Sequence, residues 1–142
     1  MINLIYIFLM SIFAGNACTT IDSDITLEVT ISGIKKEVGE IRIALYDKDN
    51  EFLSEKDIND YRVVPVDGTS VKCKFQVKEA GNYAMALVHD INSNGTMDFN
   101  LVGWPKEPYA FSNNPGVWLR APTFEECAIK VNGNESIVIN MK

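Results

Sequence analysis

The sequence is poor in the residues that build most catalytic and metal centres. It holds one histidine and three cysteines, with no Cys-x-x-Cys pair and no zinc-type cluster. It also lacks a Gly-x-Ser-x-Gly elbow, and His89 and Asp90 are adjacent, so on a strand their side chains point to opposite faces. Acidic residues outnumber basic ones by 19 to 13, whereas nucleic-acid binding needs clustered positive charge. We therefore expect neither an enzyme nor a nucleic-acid-binding protein.

Charge is also missing from the start of the chain, where no charged side chain precedes Asp22. The apolar run there is shorter than the roughly 20 residues that a membrane-spanning helix needs. Small residues follow it at Ala14, Gly15 and Ala17, as in a signal peptide before its cleavage site. We expect residues 1–17 to be a signal peptide and the protein to be exported, to the periplasm, the outer membrane or the extracellular space.

The three cysteines leave two questions open. Residues 15–18 resemble a loose bacterial lipobox, although Asn16 departs from the usual pattern. Either Cys18 is lipidated, which is the one membrane attachment we expect, or the protein is simply secreted. Cys73 and Cys127 form an even pair, which in an oxidising compartment is either a disulfide or two buried thiols.

Long helical periods are absent as well, and alternation with period two replaces them. It predicts strands over residues 25–31, 39–47, 61–66, 71–77, 83–89, 126–131 and 136–141, with one short helix at most, within 51–60. Pro65 predicts an edge position for the third strand. We expect an all-β domain over residues 25–142 after a flexible lead-in (18–24). Its predicted fold is an antiparallel β-sandwich of about seven strands, immunoglobulin- or transthyretin-like.

What the sequence does contain is a calcium-type loop after the fifth strand, the 90–98 loop. Asp90, Asn92, Asn94 and Asp98 place oxygen-bearing side chains at its first, third, fifth and ninth positions. Gly95 permits a sharp turn, and Thr96 offers its backbone carbonyl, as in the front half of an EF-hand loop. Calcium prefers such a mixture of carboxylate and neutral oxygens. The pattern predicts a structural calcium site.

The calcium loop is incomplete in its second half. Its twelfth position is Leu101, where an EF-hand has a bidentate glutamate. The closing carboxylate would then come from elsewhere, with Glu107, Asp47 and Asp49 as candidates. The alternative is a hairpin turn that needs only Asn94 and Gly95.

The residues that follow form a stiff loop, the aromatic segment (residues 103–116). It is rich in proline, glycine, amides and aromatic rings. Long loops in small domains are often functional. Trp104, Tyr109 and Phe111, with Trp118 beyond, either bind an extracellular glycan or protein segment, without a metal, or pack as a lid on the sandwich.

Several of these motifs together resemble a known bacterial family. The motifs are residues 39–47 with Phe52 and Leu53, residues 83–98, 103–107 and 111–114, and residues 121–126. In this combination the chain resembles domain of unknown function 2141, over nearly all of residues 25–142. Trp104 stands where the family often has a smaller residue. The resemblance implies an exported β-sandwich and no established activity.

Overall fold

The computed structural model describes residues 24–47, 52–116 and 120–141. The predicted signal peptide and Cys18 lie outside these ranges, as do Asp49 and Trp118. In the described part of the chain, no helix has both the length and the apolar character that crossing a membrane would require.

The described chain forms eight strands and very little helix. The strands are β1 (Ile25–Ser32), β2 (Glu40–Tyr46), β3 (Asp60–Pro65), β4 (Ser70–Val77), β5 (Gly81–Asp90), β6 (Tyr109–Phe111), β7 (Ile129–Val131) and β8 (Glu135–Asn140). A 3₁₀ turn (Glu55–Asp57) and one short helix, α1 (Phe124–Cys127), complete the described elements. This confirms the predicted all-β class.

The strands pair into two sheets, as expected for a sandwich. One sheet has the order β4-β1-β8, and the other has the order β3-β2-β5-β6, with β7 also paired to β5. All pairs are antiparallel except β1 with β8, which run parallel with Leu27 opposite Glu135. The predicted edge position of the strand with Pro65 is confirmed, because β3 ends the five-stranded sheet.

The main core lies between the two sheets. Alternate residues of β2, namely Ile41, Ile43 and Leu45, are fully buried, as the period-two pattern predicts. They share one apolar cluster with residues of the facing sheet such as Leu27 and Phe75. Burial of large aliphatic and aromatic side chains at about 1.5–3 kcal/mol each supplies the main stabilisation of the sandwich.

A second apolar cluster covers the outer face of the five-stranded sheet. Ala44 and Tyr46 of β2 point there and contact Phe124 and Cys127 of α1. Phe52 joins them, with its ring centroid 5.2 Å from that of Tyr46. This outer layer extends to Phe111 of β6, so it reaches the aromatic segment.

The two described cysteines are free and lie in different clusters. Cys73 packs against the core between the sheets, and Cys127 is buried in the outer cluster. Burial raises the pKa of Cys73 to about 11 and that of Cys127 to about 12. Of the two open alternatives, the structure therefore has the separate thiols.

Two local predictions need correction. The strand expected over residues 126–131 starts only at Ile129, because α1 precedes it. Thr123 and Glu126 form a reciprocal capping box, in which Thr123 N–H donates to Glu126 Oε2 at 2.8 Å. The short helix considered within residues 51–60 is the 3₁₀ turn alone, and the three-residue β6 was not predicted.

Candidate functional site

The 90–98 loop is anchored at its first residue. Asp90 ends β5 and is fully buried. Asn94 N–H donates to Asp90 Oδ1 at 3.1 Å, while Gly95 N–H donates to Asp90 Oδ2 at 2.8 Å. Arg42 Nε, from the neighbouring strand β2, also donates to Oδ2 at 2.9 Å. These bonds curl the loop back over the end of the sheet.

The same contacts keep Asp90 ionised. Burial alone opposes the charged carboxylate, but the N–H groups of Gly95 and Asn94 and the guanidinium of Arg42 outweigh it. The pKa of Asp90 is consequently lower than the ordinary value. A buried carboxylate with three donors is an anionic fixed point for the loop.

Two of the remaining predicted ligands, Asn92 and Asn94, donate to Asp98. Asn92 Nδ2 donates to Asp98 Oδ2 at 2.9 Å, and Asn94 Nδ2 donates to Asp98 Oδ1 at 3.2 Å. The amide oxygens turn inward on the loop, because Asn92 Oδ1 accepts from Asn94 N–H and Asn94 Oδ1 accepts from Thr96 N–H. The structure thus brings Asp90, Asn92, Asn94 and Asp98 into one hydrogen-bonded loop, with Thr96 in its chain.

Glu107 connects the loop to the aromatic segment. It is nearly buried, and its Oε1 accepts from Ile91 N–H at 3.0 Å while Oε2 accepts from Asp98 N–H at 3.2 Å. Of the two candidate closing residues that the structure describes, Glu107 and Asp47, Glu107 is the one beside the loop. Asp47 follows Tyr46, which pairs with Ala84 at the opposite end of β5, and is therefore too remote.

Two residues that shape the loop were not among the site residues predicted from the sequence. Gly39 has φ of +79°, and a Cβ there would lie 2.2 Å from the carbonyl oxygen of Asp90, so only glycine fits. Arg42 lies under Gly95, where an added Cβ would be 3.4 Å from its Nη2. Alternation along β2 predicts only that Arg42 faces away from the core.

The oxygen atoms that the loop offers as ligands suit a hard cation, and few of them are charged. Within the described residues, no group of three or more His, Cys, Asp or Glu side chains is placed to hold a metal ion. The loop offers two carboxylates, from Asp90 and Asp98, together with amide and carbonyl oxygens. Oxygen ligands of this kind match calcium better than zinc or copper, which prefer nitrogen and sulfur.

The aromatic segment has a different character. Trp104 is 52% exposed and Tyr109 40% exposed, and Phe99, Leu101 and Val102 just before them are also exposed. Phe111 is half-buried, with its ring centroid 5.8 Å from that of Tyr109. Trp104, Tyr109 and Phe111 line two grooves in common, with volumes of about 440 and 550 Å³. The predicted lid is therefore only partly closed.

The single histidine has a local structural partner. His89 is buried on β5, and its Nε2 lies 2.8 Å from the carbonyl oxygen of Val38. This contact ties the end of β5 to the turn before β2 and is one more bond that fixes the base of the 90–98 loop.

One comparison with known proteins gives a match. Residues 29–139 match the model of the family DUF2141, described as an uncharacterized protein conserved in bacteria. No curated protein and no solved structure matches the chain at a significant level.

Proposed function

The chain belongs to the bacterial family DUF2141, and from this premise we propose that it is an exported, non-catalytic cell-envelope domain with a structural calcium loop. Asp90, Asn92, Asn94, Thr96 and Asp98 are the proposed ligands, with Glu107 beside them as the closing residue. The observation that carries the proposal is that the oxygen-bearing side chains of Asp90, Asn92, Asn94 and Asp98 lie together in one loop, beside the carboxylate of Glu107.

The geometry supports a structural role for calcium and not a regulatory one. Asp90, Glu107 and the backbone donors already fold the loop, so an ion would add stability to an existing shape. Two ligand carboxylates give a modest affinity, and extracellular modules bind calcium at about 10⁻⁴–10⁻³ M. An exported domain would meet calcium at such concentrations.

A calcium titration followed by thermal and urea unfolding tests the proposal. At a calcium concentration 100 times the dissociation constant, a single site adds about 2.7 kcal/mol to the free energy of unfolding. Asp98→Asn should remove most of this gain, because it deletes a ligand charge without touching the buried Asp90 contacts. Asp67→Asn, at an exposed turn, is the matched control. Identical unfolding curves in calcium and in chelator would contradict the proposal.

Export has its own test. We propose that residues 1–17 are removed and that Cys18 is the first residue of the mature protein, lipidated or free. Intact mass spectrometry of the protein purified from bacterial membranes and from the periplasm separates these two forms. A Cys18→Ser variant should leave the membrane fraction if Cys18 is lipidated. Recovery of the full-length chain from the cytoplasm alone would contradict export.

A second candidate function is suggested by the exposed rings. We propose that the aromatic segment binds an extracellular glycan or protein segment through Trp104, Tyr109 and Phe111. The observation in its favour is that these three side chains line both grooves while Trp104 and Tyr109 stay exposed. Exposed aromatic faces offer apolar contact area that suits both sugars and apolar side chains. A screen with both a glycan array and a displayed peptide library, repeated with Trp104→Ala, tests this candidate.

A further inference from the structure

We infer that the groove beside β6 binds an extended peptide, which adds to the five-stranded sheet as a further strand. This inference rests on the second candidate function and chooses the ligand class for it. The groove of about 440 Å³ follows the outer edge of β6, since Tyr109, Ala110 and Phe111 all line it. Its other wall includes Asn114 and Asn140, close to the end of β8.

The backbone of β6 has one paired side and one open side. Residues 108, 110 and 112 face β5, since His89 N–H donates to Pro108 and Ser112 N–H donates to Met85. In an antiparallel pair the intervening residues, Tyr109 and Phe111, direct their N–H and C=O groups to the other side. Among the described residues, the one hydrogen bond on that side is from Asn114 N–H to the Phe111 carbonyl, at 3.2 Å.

Two of the other sheet edges in the described chain, those of β8 and β3, are protected. Asn114 covers β8, where its Oδ1 accepts from Asn140 N–H at 2.8 Å and its Nδ2 donates to the Val138 carbonyl at 3.3 Å. The edge strand β3 carries Pro65 and the Asp60–Arg62 ion pair. Proline and charges are the usual means of preventing strand addition. β6 has neither within its three residues.

Open backbone groups favour a peptide over a glycan. A peptide strand supplies N–H and C=O groups in the spacing of the Tyr109 N–H and C=O and the Phe111 N–H, whereas a sugar ring does not. Alternate side chains of an added strand would point to the same side, so every second residue would contact Trp104 and Tyr109. The partner should therefore carry an apolar side chain at such a position.

The charge of Lys106 further limits the class of peptide that we expect to bind. Lys106 lines the same groove, and the ion pairs of the described residues use Arg42, Arg62, Lys74 and Arg120 but not Lys106. The nearby Glu107 accepts from the N–H groups of Ile91 and Asp98, and no ion pair of the described residues joins it to Lys106. An extended peptide with an apolar residue and a carboxylate fits this combination.

The probe for the test is a phage-displayed library of random linear heptapeptides, selected on the purified protein. Fluorescence anisotropy then measures the affinity of the synthetic peptides that are selected. We expect apolar residues near an acidic one, and about tenfold or more weaker binding to Trp104→Ala, as for an aromatic anchor. Lys106→Glu should weaken acidic peptides as well. Val63→Ala, exposed on the opposite edge strand β3, should bind as the unaltered protein does.

Strand addition makes a further prediction that side-chain binding does not share. Peptides methylated at one backbone nitrogen at a time should lose affinity at alternate positions only. Tyr109→Pro, which lacks the edge N–H, should bind more weakly than Tyr109→Ala, which lacks only the ring. The methylated peptides leave the protein unaltered, so they decide the question even if Tyr109→Pro does not fold.

Four outcomes would overturn the inference. Equal affinity of all methylated peptides would exclude strand addition. Glycan binding that is sensitive to Trp104→Ala, without any peptide binding, would overturn the peptide inference and leave the second candidate function standing. If neither the glycan screen nor the peptide screen gives a ligand, both the peptide inference and the second candidate function are excluded. A concentration-dependent dimer that Tyr109→Pro abolishes would show that a second copy of the chain occupies the edge.

Discussion

The 90–98 loop and the aromatic segment are neighbours joined by Glu107. They differ in whether their side chains and backbone groups have partners within the protein. In the loop, the Asp90 carboxylate accepts from three donors and the Asp98 carboxylate from two, while Asp98 N–H donates to Glu107. In the aromatic segment, Trp104 and Tyr109 are exposed and the edge of β6 is open. Groups with internal partners maintain a shape, whereas groups without them are available to another molecule. We infer that the loop is support and the segment is the contact surface.

The largest effect should separate two glycines with nearly the same backbone angle. Gly39 has φ of +79° and Gly103 has φ of +82°. A Cβ at Gly39 would collide with the backbone of Asp90 and Ile91, whereas one at Gly103 would meet nothing within 4 Å. We expect Gly39→Ala to lower the free energy of unfolding by about 4 kcal/mol, because the collision adds to the strain of a positive φ. Gly103→Ala should lower it by about 1–2 kcal/mol, because only the strain applies there. Urea unfolding measures both, and equal costs would erase the contrast between the two regions.

Asp90→Ala should have the next largest effect. It removes the acceptor of Asn94 and Gly95 N–H and leaves Arg42 without its buried partner. Breaking a pair of this kind costs about 3 kcal/mol. Asp90→Asn keeps one acceptor oxygen and should cost less. If chemical denaturation gave a loss below about 1 kcal/mol for Asp90→Ala, the loop would not be the rigid element we describe.

A smaller effect should appear in acid. The pKa of Asp90 is lower than its ordinary value of 3.8 in the folded state, because its N–H donors and Arg42 outweigh burial. Its ionised form therefore stabilises the fold above the ordinary pKa, and this contribution is lost as the pH falls through the folded-state pKa. We expect the free energy of unfolding to decline below about pH 4.

Asp90→Asn is the control for this acid effect. Glu126 titrates in the same range, with its pKa lowered to about 2 by Arg120 and the Thr123 N–H, and it is present in both proteins. The Asn variant should show a shallower decline. Parallel pH curves for the two proteins would assign the acid sensitivity to Glu126 and other carboxylates.

The smallest effect on stability should come from Trp104→Ala. Its side chain is 52% exposed, so its removal should cost about 1 kcal/mol or less. The same variant should abolish most ligand binding, which is the reverse of the behaviour expected for Asp90→Ala. A large loss of stability in thermal unfolding of Trp104→Ala would show that Trp104 stabilises the fold. The aromatic segment would then have the same structural role as the 90–98 loop.

The features that the sequence revealed are local ones. Strand alternation located seven of the eight strands, because burial of one face imposes period two on adjacent residues. The spacing of oxygen-bearing side chains from Asp90 to Asp98, with Gly95 among them, predicted a curled loop, because such loops form from residues close in sequence. The capping box of Thr123 and Glu126 was also visible in the Thr-x-x-Glu pattern, although the strand prediction passed over it.

The features that the sequence concealed depend on distant partners. Arg42 reaches Asp90 across 48 residues, and only the pairing of β2 with β5 brings them together. β6 has three residues, too few for a detectable alternation, and its open edge is a property of the sheet order. The separation of Cys73 from Cys127 likewise follows from the faces of the sheets to which they belong.

The parallel pair of β1 and β8 bears on how the domain is made. β1 is the central strand of its sheet, and Ser32 pairs with Asn140, which is 108 residues later. One side of β1 therefore stays unpaired until β8 has been synthesised and has folded against it. Contacts of such long sequence separation slow folding and leave nascent chains open to mispairing. Pairing of β1 with β8 is accordingly expected to be a late step in the folding of this domain.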